Sequence, residues 1–226
     1  MKASEAAVDI GRTGGAFAAL AYLADVQADE AADAYNEAMK SAYWEHGDLP
    51  LAMGLAFGGV SRLLRDAAGA DDESGYRFRS AVKAMTYNLA SFAWPGWDQD
   101  GVEISENEAA AGLAAARMNL TLAQDLEKGD LPESRAHWMI GAHLLTAGDA
   151  RSAADAFAKA KEHAAADGTS LEDVRLNDAF WWLASAAAGE PRAHEGLAAS
   201  SALLAEVEHG DELVGQVTTV QRILGL

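Results

Sequence analysis

The sequence has no cysteine, little proline and few basic residues for its acidic content. Because none of the 226 residues is cysteine, disulfides and thiolate metal sites are excluded. Only four prolines interrupt the chain. β-Branched residues are sparse, and alanine, a strong helix former, is the commonest residue. The composition therefore predicts an all-α protein.

The shortage of positive charge limits the partners that the chain can bind. Its 17 Lys and Arg residues face 35 Asp and Glu residues, which gives a formal charge of −18. Nucleic-acid binding requires basic side chains that neutralise phosphates, so this charge argues against such a partner and against anionic membrane surfaces. A basic protein would be attracted, although a charge of this size also serves solubility alone.

The chain also lacks a long apolar run. No segment approaches the ~20 apolar residues of a membrane-spanning helix. The stretch Ala16–Ala24 is apolar, but Glu5 and Asp9 offset Lys2 and Arg12 before it, so the positive start of a secretory signal is missing. We therefore expect a cytoplasmic protein.

The most clearly organised stretch covers residues 137–163 and predicts two amphipathic helices that fold back on each other. Apolar and small residues recur there at steps of three and four, which places them on one face of each helix. Gly148 lies where a helix commonly ends in a residue with positive φ, and Asp149 follows as a potential N-cap.

This hairpin resembles a tetratricopeptide repeat (TPR). In the TPR pattern a small residue lies midway along the first helix, and alanine, an aromatic residue and alanine follow along the second. The residues that match this pattern at its spacing are Gly141, Ala153, Phe157 and Ala160. Such small residues would let two helix backbones approach closely, with Phe157 beside them. The sequence departs from the pattern where Trp138 lies one position later than the family's tryptophan and Leu144 replaces its tyrosine, and the usual terminal proline is missing.

Turns divide the chain into a series of helical hairpins. The glycine-containing turns that separate four hairpins over residues 28–208 lie near Gly47, Gly96, Gly148 and Gly189. A helical segment over residues 1–27 precedes the hairpins, and residues 210–226 form a capping helix after them. Because glycines weaken the middle of the first segment, we expect one frayed or broken helix over residues 3–26, with Phe17 among the residues that it contributes to the core. We predict one domain over residues 1–226 with about nine or ten antiparallel helices, and the resemblance implies that they stack as a right-handed solenoid. Because the hairpins are longer than the family's repeat of about 34 residues, a closed helical bundle is the alternative.

The resemblance also implies a binding surface. If two repeats are aligned through Gly141 and Ala184, Trp138 and Trp181 share a position that the family turns toward its concave groove. Arg135 and Asp178 form a matching pair one helical turn earlier in the same two repeats. Earlier hairpins aligned through Ala42 and Ala90 add Asn36 and Tyr87. An aromatic groove with a few polar groups suits an extended peptide or a helix. The alternative role for both tryptophans is packing in the core between neighbouring helices.

Residues 94–100 form a second candidate site. The segment is aromatic and acidic and longer than a minimal connection, which is where binding residues often lie. Trp94 and Trp97 are expected either to close a pocket between helices or to form a structural turn. A calcium loop is excluded because the EF-hand pattern fails after Asp98 and Asp100.

No set of residues typical of catalysis or metal binding stands out. Glu133 with His137, and Glu190 with His194, have a spacing that a metal pair can use, but neither pair has a third ligand. The chain has no nucleophile elbow and no dinucleotide fingerprint. We therefore predict no metal, no cofactor and no enzymatic activity.

These observations predict a non-enzymatic, TPR-like scaffold that binds a partner protein or peptide. A small-molecule binding or sensing domain with a pocket near the 94–97 loop is the alternative, and an enzyme built from scattered carboxylates and histidines is a third hypothesis. The apolar final helix can cap its own chain or pair with a second copy, and the sequence leaves both open.

Overall fold

A computed structural model describes residues 2–226, which form eleven α-helices joined by short connections. The helices are α1 (Ala3–Gly14), α2 (Ala16–Ala24), α3 (Ala28–Trp44), α4 (Leu49–Ala68), α5 (Asp72–Phe92), α6 (Glu106–Asp125), α7 (Asp130–Thr146), α8 (Ala150–Asp167), α9 (Leu171–Ala187), α10 (Ala193–Leu204) and α11 (Gly210–Leu224). A 3₁₀ turn, Pro95–Trp97, lies between α5 and α6. Residues 2–226 contain no strand, so the all-α prediction is confirmed, with slightly more helices than expected. None of these helices combines the length and the apolar composition that crossing a membrane requires.

The chain divides into two compact units. The first comprises residues 2–93 and 100–103, and the second comprises residues 94–99 and 104–226. Consecutive helices pack on each other within each unit. Three of the four predicted hairpins do not cross from one unit to the other: α3–α4 lies in the first unit, and α7–α8 and α9–α10 lie in the second. The two helices of the remaining hairpin, α5 and α6, belong to different units. The single domain over residues 1–226 stays a prediction.

In the first unit, the N-terminal segment is broken into two helices at Gly15. Gly15 has a φ of 82°, a left-handed conformation that a residue with a Cβ adopts only at a cost, and it directs α2 back along α1. Both helices pack further into the unit, α1 on α3 and α2 on α4. The predicted break within residues 3–26 is therefore confirmed.

Two glycines allow α2 and α4 to approach closely. A Cβ atom added at Gly54 would lie 2.6 Å from the Cβ of Ala16, and one added at Gly58 would lie 2.2 Å from a methyl carbon of Leu20. Both distances are shorter than a carbon–carbon contact permits. Gly54 and Gly58 follow their α2 partners by the same number of residues, so α2 and α4 run in the same direction.

In the second unit, the α7–α8 hairpin has the geometry that its sequence predicts. Gly148 has a φ of 85°, and the Asp149 side chain accepts a hydrogen bond from the Ser152 backbone N–H at 3.2 Å. A Cβ atom added at Gly141 would lie 2.8 Å from the Phe157 ring. The small residue midway along α7 is therefore required by the aromatic side chain that packs against it.

A buried hydroxyl joins three helices of this unit. The Ser134 hydroxyl of α7 donates a hydrogen bond to the Ala160 carbonyl of α8 at 2.7 Å. It also accepts a hydrogen bond from the Asn177 side-chain amide of α9 at 3.1 Å. Ser134 and Asn177 are both buried. Because each buried polar group here has a partner, the bonds fix the register of α7 against α8 and α9.

Candidate functional site

The structure places two of the predicted binding tryptophans in the core of the second unit. Trp94 is fully buried and Trp138 is 7% exposed. Their ring centroids are 5.3 Å apart in an edge-to-face arrangement, and Phe180 lies 5.2 Å from Trp138 in the same geometry. For Trp138 the observed environment is the core packing that the sequence left as an alternative. Its side chain offers almost no surface to a partner.

The Trp94 side chain folds beneath the turn that follows it. A Cβ atom at Gly96 would lie 2.2 Å from the Trp94 ring, so only glycine fits there. The indole N–H groups of Trp94 and Trp138 are buried and donate no hydrogen bond to any residue within 2–226. Burial of an unpaired donor costs free energy, so these two rings are held by their apolar contacts.

The other two predicted tryptophans reach the surface. Trp97 is 40% exposed and packs edge-on against Trp94, at a centroid distance of 4.9 Å. Trp181 is half-buried and lies 4.5 Å from Trp182 in a similar geometry. Contact with a partner is therefore sterically open to Trp97 and Trp181.

The predicted polar residues of the second unit form ion pairs on its surface. Arg135 of α7 binds both carboxylate oxygens of Asp173 of α9, at 3.2 and 3.1 Å. Asp178 of α9 pairs with Lys161 of α8. Arg135 and Asp178 thus join neighbouring helices to each other.

The predicted residues of the first unit lie on facing helices. Asn36 of α3 accepts a hydrogen bond from the Asn88 side-chain amide of α5 at 3.2 Å. Tyr87 of α5 is half-buried. Their part in partner binding stays a prediction, as it does for the predicted residues of the second unit.

A groove between α6 and α7 lies next to the 3₁₀ turn. Its volume is about 440 Å³, within the range of small-molecule sites. The apolar residues that line it are Pro95, Ile104, Ala109, Ala110, Leu113 and Ala147, and the polar ones are Ser105, Glu106, His143 and Thr146. The groove therefore lies beside residues 94–97, and of this segment Pro95 lines it whereas Trp94 and Trp97 do not.

His137 of α7 is a buried imidazole beside a second one. Its ring stacks on His163 of α8 at a centroid distance of 5.5 Å and an interplanar angle of 12°. Burial above all, together with the charges of His163 and Lys159, lowers the pKa of His137 to about 4, against a smaller opposing effect of Glu133. The His163 Nδ1–H donates to the Asp130 carboxylate at 2.8 Å. His137 is therefore neutral at pH 7.

No cluster of metal-ligating side chains is found in the part of the chain that the structure describes. No three His, Asp or Glu side chains of residues 2–226 come together as ligands of a metal ion. Glu133 and His137, the i, i+4 pair of α7, both face His163 of α8. The His163 imidazole lies 3.8 Å from the Glu133 carboxylate and stacks on the His137 ring. Glu133 and His137 therefore take part in packing α7 against α8.

The most unusual surface belongs to the first unit, and the sequence reasoning missed it. Phe17 was expected to contribute to the core of the N-terminal segment, but its side chain is 89% exposed. Phe57 of α4 is 50% exposed. Residues 13–24 and 49–61 contain no Asp, Glu, Lys or Arg, in a chain of which 23% is charged. These two uncharged stretches, one of which forms α2 and the other most of α4, are the sequence signal that pointed to this surface.

The register of α2 and α4 brings the two exposed phenylalanines to one side of the helix pair. Ala19 and Leu23 turn one side of α2 into the core, which leaves Phe17, Ala21 and Ala24 exposed at i, i+4 and i+7. Phe57 lies on the side of α4 opposite the buried leucines of that helix. Measured along the helix axes, Phe57 and Phe17 are about 3 Å apart. We call the exposed surface of Phe17, Ala21, Ala24 and Phe57 the α2–α4 face.

Comparison with known proteins adds no family to these observations. No family model matches the chain, and a search of curated proteins finds no match.

Proposed function

We propose that this chain is a non-enzymatic, TPR-like helical scaffold of the cytoplasm that binds a partner protein or peptide through the α2–α4 face. The exposure of Phe17, at 89%, is the observation that carries this proposal. An isolated exposed apolar residue is ordinary. Here the neighbouring side chains are also apolar, and Phe57 lies on the same side of the helix pair.

The contribution of such a face to binding follows from its apolar area. Transfer of a phenylalanine side chain from water to an apolar environment is worth about 1.5–3 kcal/mol. Phe17 is almost wholly available for burial, so it has the properties of a binding hot spot. The backbone beneath it is held by the close α2–α4 contact, so little ordering would be required on binding.

Charge indicates what kind of partner fits. The α2–α4 face carries no charge, and the whole chain carries −18. A partner segment with an apolar side chain flanked by basic residues would fit. The apolar side chain would pack on the α2–α4 face, and the basic residues would be attracted by the acidic surface of the rest of the chain. An amphipathic helix with basic flanks is the simplest segment of this kind.

Selection from a displayed peptide library tests the proposal. We expect enriched peptides to carry a bulky apolar anchor with nearby Lys or Arg. The affinity of a selected peptide should fall about 10- to 100-fold in Phe17→Ser, because the variant removes about 1.5–3 kcal/mol of apolar burial. Phe57→Ser should weaken the same peptides by a smaller factor, since its side chain is already half covered.

Leu171→Ser is the matched control. Leu171 is 60% exposed and lies in the second unit, at the start of α9, so its replacement should leave peptide affinity unchanged. Peptides that bind both serine variants of the α2–α4 face as tightly as the wild type would rule out this surface. Sedimentation of the free protein at the same concentrations separates partner binding from pairing of two copies.

A second candidate function is small-molecule binding in the groove between α6 and α7. Its volume of about 440 Å³ and its mainly apolar lining favour this role. Ala109→Trp, which fills the groove, should abolish the thermal stabilisation that a bound metabolite produces in the wild type. Equal stabilisation of wild type and variant would exclude the groove as the site.

A further inference from the structure

A small cavity in the first unit combines an apolar floor with positive charge. It measures about 200 Å³ and lies between α2, α3 and α4. Leu20, Tyr35 and Gly58 provide its apolar surface, and Arg62 and Arg65 bring two guanidinium groups to it. Local positive charge is unusual in a chain with a formal charge of −18.

The two arginines differ in what they bind. Arg62 pairs with Asp66 at 2.8 Å and donates a hydrogen bond to the Ala24 carbonyl at the end of α2 at 2.9 Å. Arg65 donates only to the Ser61 carbonyl of its own helix, at 3.3 Å, and forms no ion pair within residues 2–226. With Asp66 counted, the cavity keeps a net charge of one positive unit, which comes from Arg65.

Tyr35 adds a hydroxyl to this site. The residue is 3% exposed and its ring packs against Gly59, where an added Cβ would lie 2.9 Å from the Tyr35 Cβ. Among residues 2–226 its phenol has no hydrogen-bond partner, although it lies within electrostatic range of Arg62 and Arg65. Because Tyr35 lines the cavity and its hydroxyl is not held by the fold, this hydroxyl is available to a ligand.

We propose that this cavity binds a small carboxylate with a short apolar tail. The carboxylate would accept hydrogen bonds from the Arg65 guanidinium and from the Tyr35 hydroxyl. A carboxylate is the partner whose geometry a planar guanidinium group matches best. Its tail would lie on Leu20 and the bare backbone at Gly58. The volume is below that of drug-sized sites, so the ligand is a compact one. This cavity shares Ala24 with the α2–α4 face but is lined by neither Phe17 nor Phe57, so its test is independent of the proposed partner binding.

Titration of the full chain with hexanoate and hexanamide, followed by NMR of the arginine side-chain N–H groups, tests the proposal. We expect saturable shifts of the Arg65 signal with hexanoate, at millimolar affinity for a ligand of this size, and at least tenfold weaker binding of the uncharged amide. Acetate, which lacks the tail, should also bind more weakly. A short peptide with a free C-terminal leucine, tested in parallel, distinguishes a chain terminus from a free carboxylic acid as the source of the carboxylate.

Three variants separate binding from structure. Arg65→Gln should weaken hexanoate about tenfold, and Tyr35→Phe several-fold. Because the Tyr35 hydroxyl has no partner within the fold, Tyr35→Phe should keep the thermal stability of the wild type, which a purely structural hydroxyl would not allow. Arg151→Gln, which removes an exposed charge on α8, should leave binding unchanged. No saturable shift, equal binding of amide and acid, or unchanged affinity in both Arg65→Gln and Tyr35→Phe would overturn the proposal.

Discussion

Protonation of His137 should make the stability of the second unit depend on pH in a defined window. In the folded protein the pKa of this side chain is about 4, against an ordinary value of 6.5. The unfolded chain therefore binds a proton near pH 6.5, whereas the folded chain binds it only near pH 4. Stability is unaffected by this group above about pH 7, is lost progressively as the pH falls from 6.5 to 4, and changes no further below 4.

The size of the effect follows from the shift in pKa. Each unit of pKa is worth about 1.4 kcal/mol, so the full loss is about 3 kcal/mol, of which about 2 kcal/mol is already lost at about pH 5. His137 is only 9% exposed, so solvent does little to screen this cost. A loss of this size is a large fraction of the ~5–15 kcal/mol that stabilises a typical protein.

Urea unfolding of the wild type and of His137→Gln, followed by circular dichroism at about pH 7.5 and about pH 5, isolates this contribution. The two proteins differ only at position 137, so the difference between their pH dependences reports His137. We expect the wild type to lose about 2 kcal/mol more than the variant between the two pH values. His194→Gln, at an exposed position of α10, should behave as the wild type. Parallel losses in wild type and His137→Gln would refute the reasoning.

Four further substitutions have expected outcomes that urea titration can check. Ser134→Ala removes a buried hydroxyl that makes two hydrogen bonds between helices, and should cost about 1–3 kcal/mol. Gly141→Ala places a methyl group against Phe157 and should cost about 1–3 kcal/mol, part of which Phe157→Leu should restore; no rescue in the double variant would show that the clash is elsewhere. Trp138→Ala should lower the free energy of unfolding by about 3–5 kcal/mol, because it removes a large ring from the core. A variant with wild-type stability would show that the Trp138 side chain is not part of the core. Arg222→Ala breaks an ion pair with Asp98 whose side chains are 66% and 51% exposed, so it should change stability by less than about 1 kcal/mol.

The elements of the fold that depend on local chemistry were predictable from the sequence. Gly148 and Asp149 end one helix and begin the next because positive φ and N-capping are properties of the residues themselves. The Gly141 and Phe157 contact was predictable for a similar reason, since a fixed spacing on two helices of known length places a small residue opposite a large one. Sequence spacing alone was sufficient for both features.

The surface was harder to predict because a helical pattern does not specify which neighbour covers each side. Phe17 and Leu23 lie on the same apolar helix, yet Leu23 is fully buried and Phe17 is 89% exposed. What decides between them is the contact of Ala16 and Leu20 with the glycines of α4, which are more than thirty residues away in the chain. Trp138 shows the reverse case, since its groove position was implied by a resemblance and its burial depends on Phe180 of another helix.

The most direct test of the proposed function is site-specific photocrosslinking in the cells that produce the protein. A photoreactive phenylalanine analogue at position 17, position 57 or position 171 would report the neighbour of each exposed side chain. The proposal predicts that positions 17 and 57 crosslink to the same segment of one partner protein and that position 171 does not. Equal labelling from all three positions, or crosslinks only between copies of this chain, would contradict it.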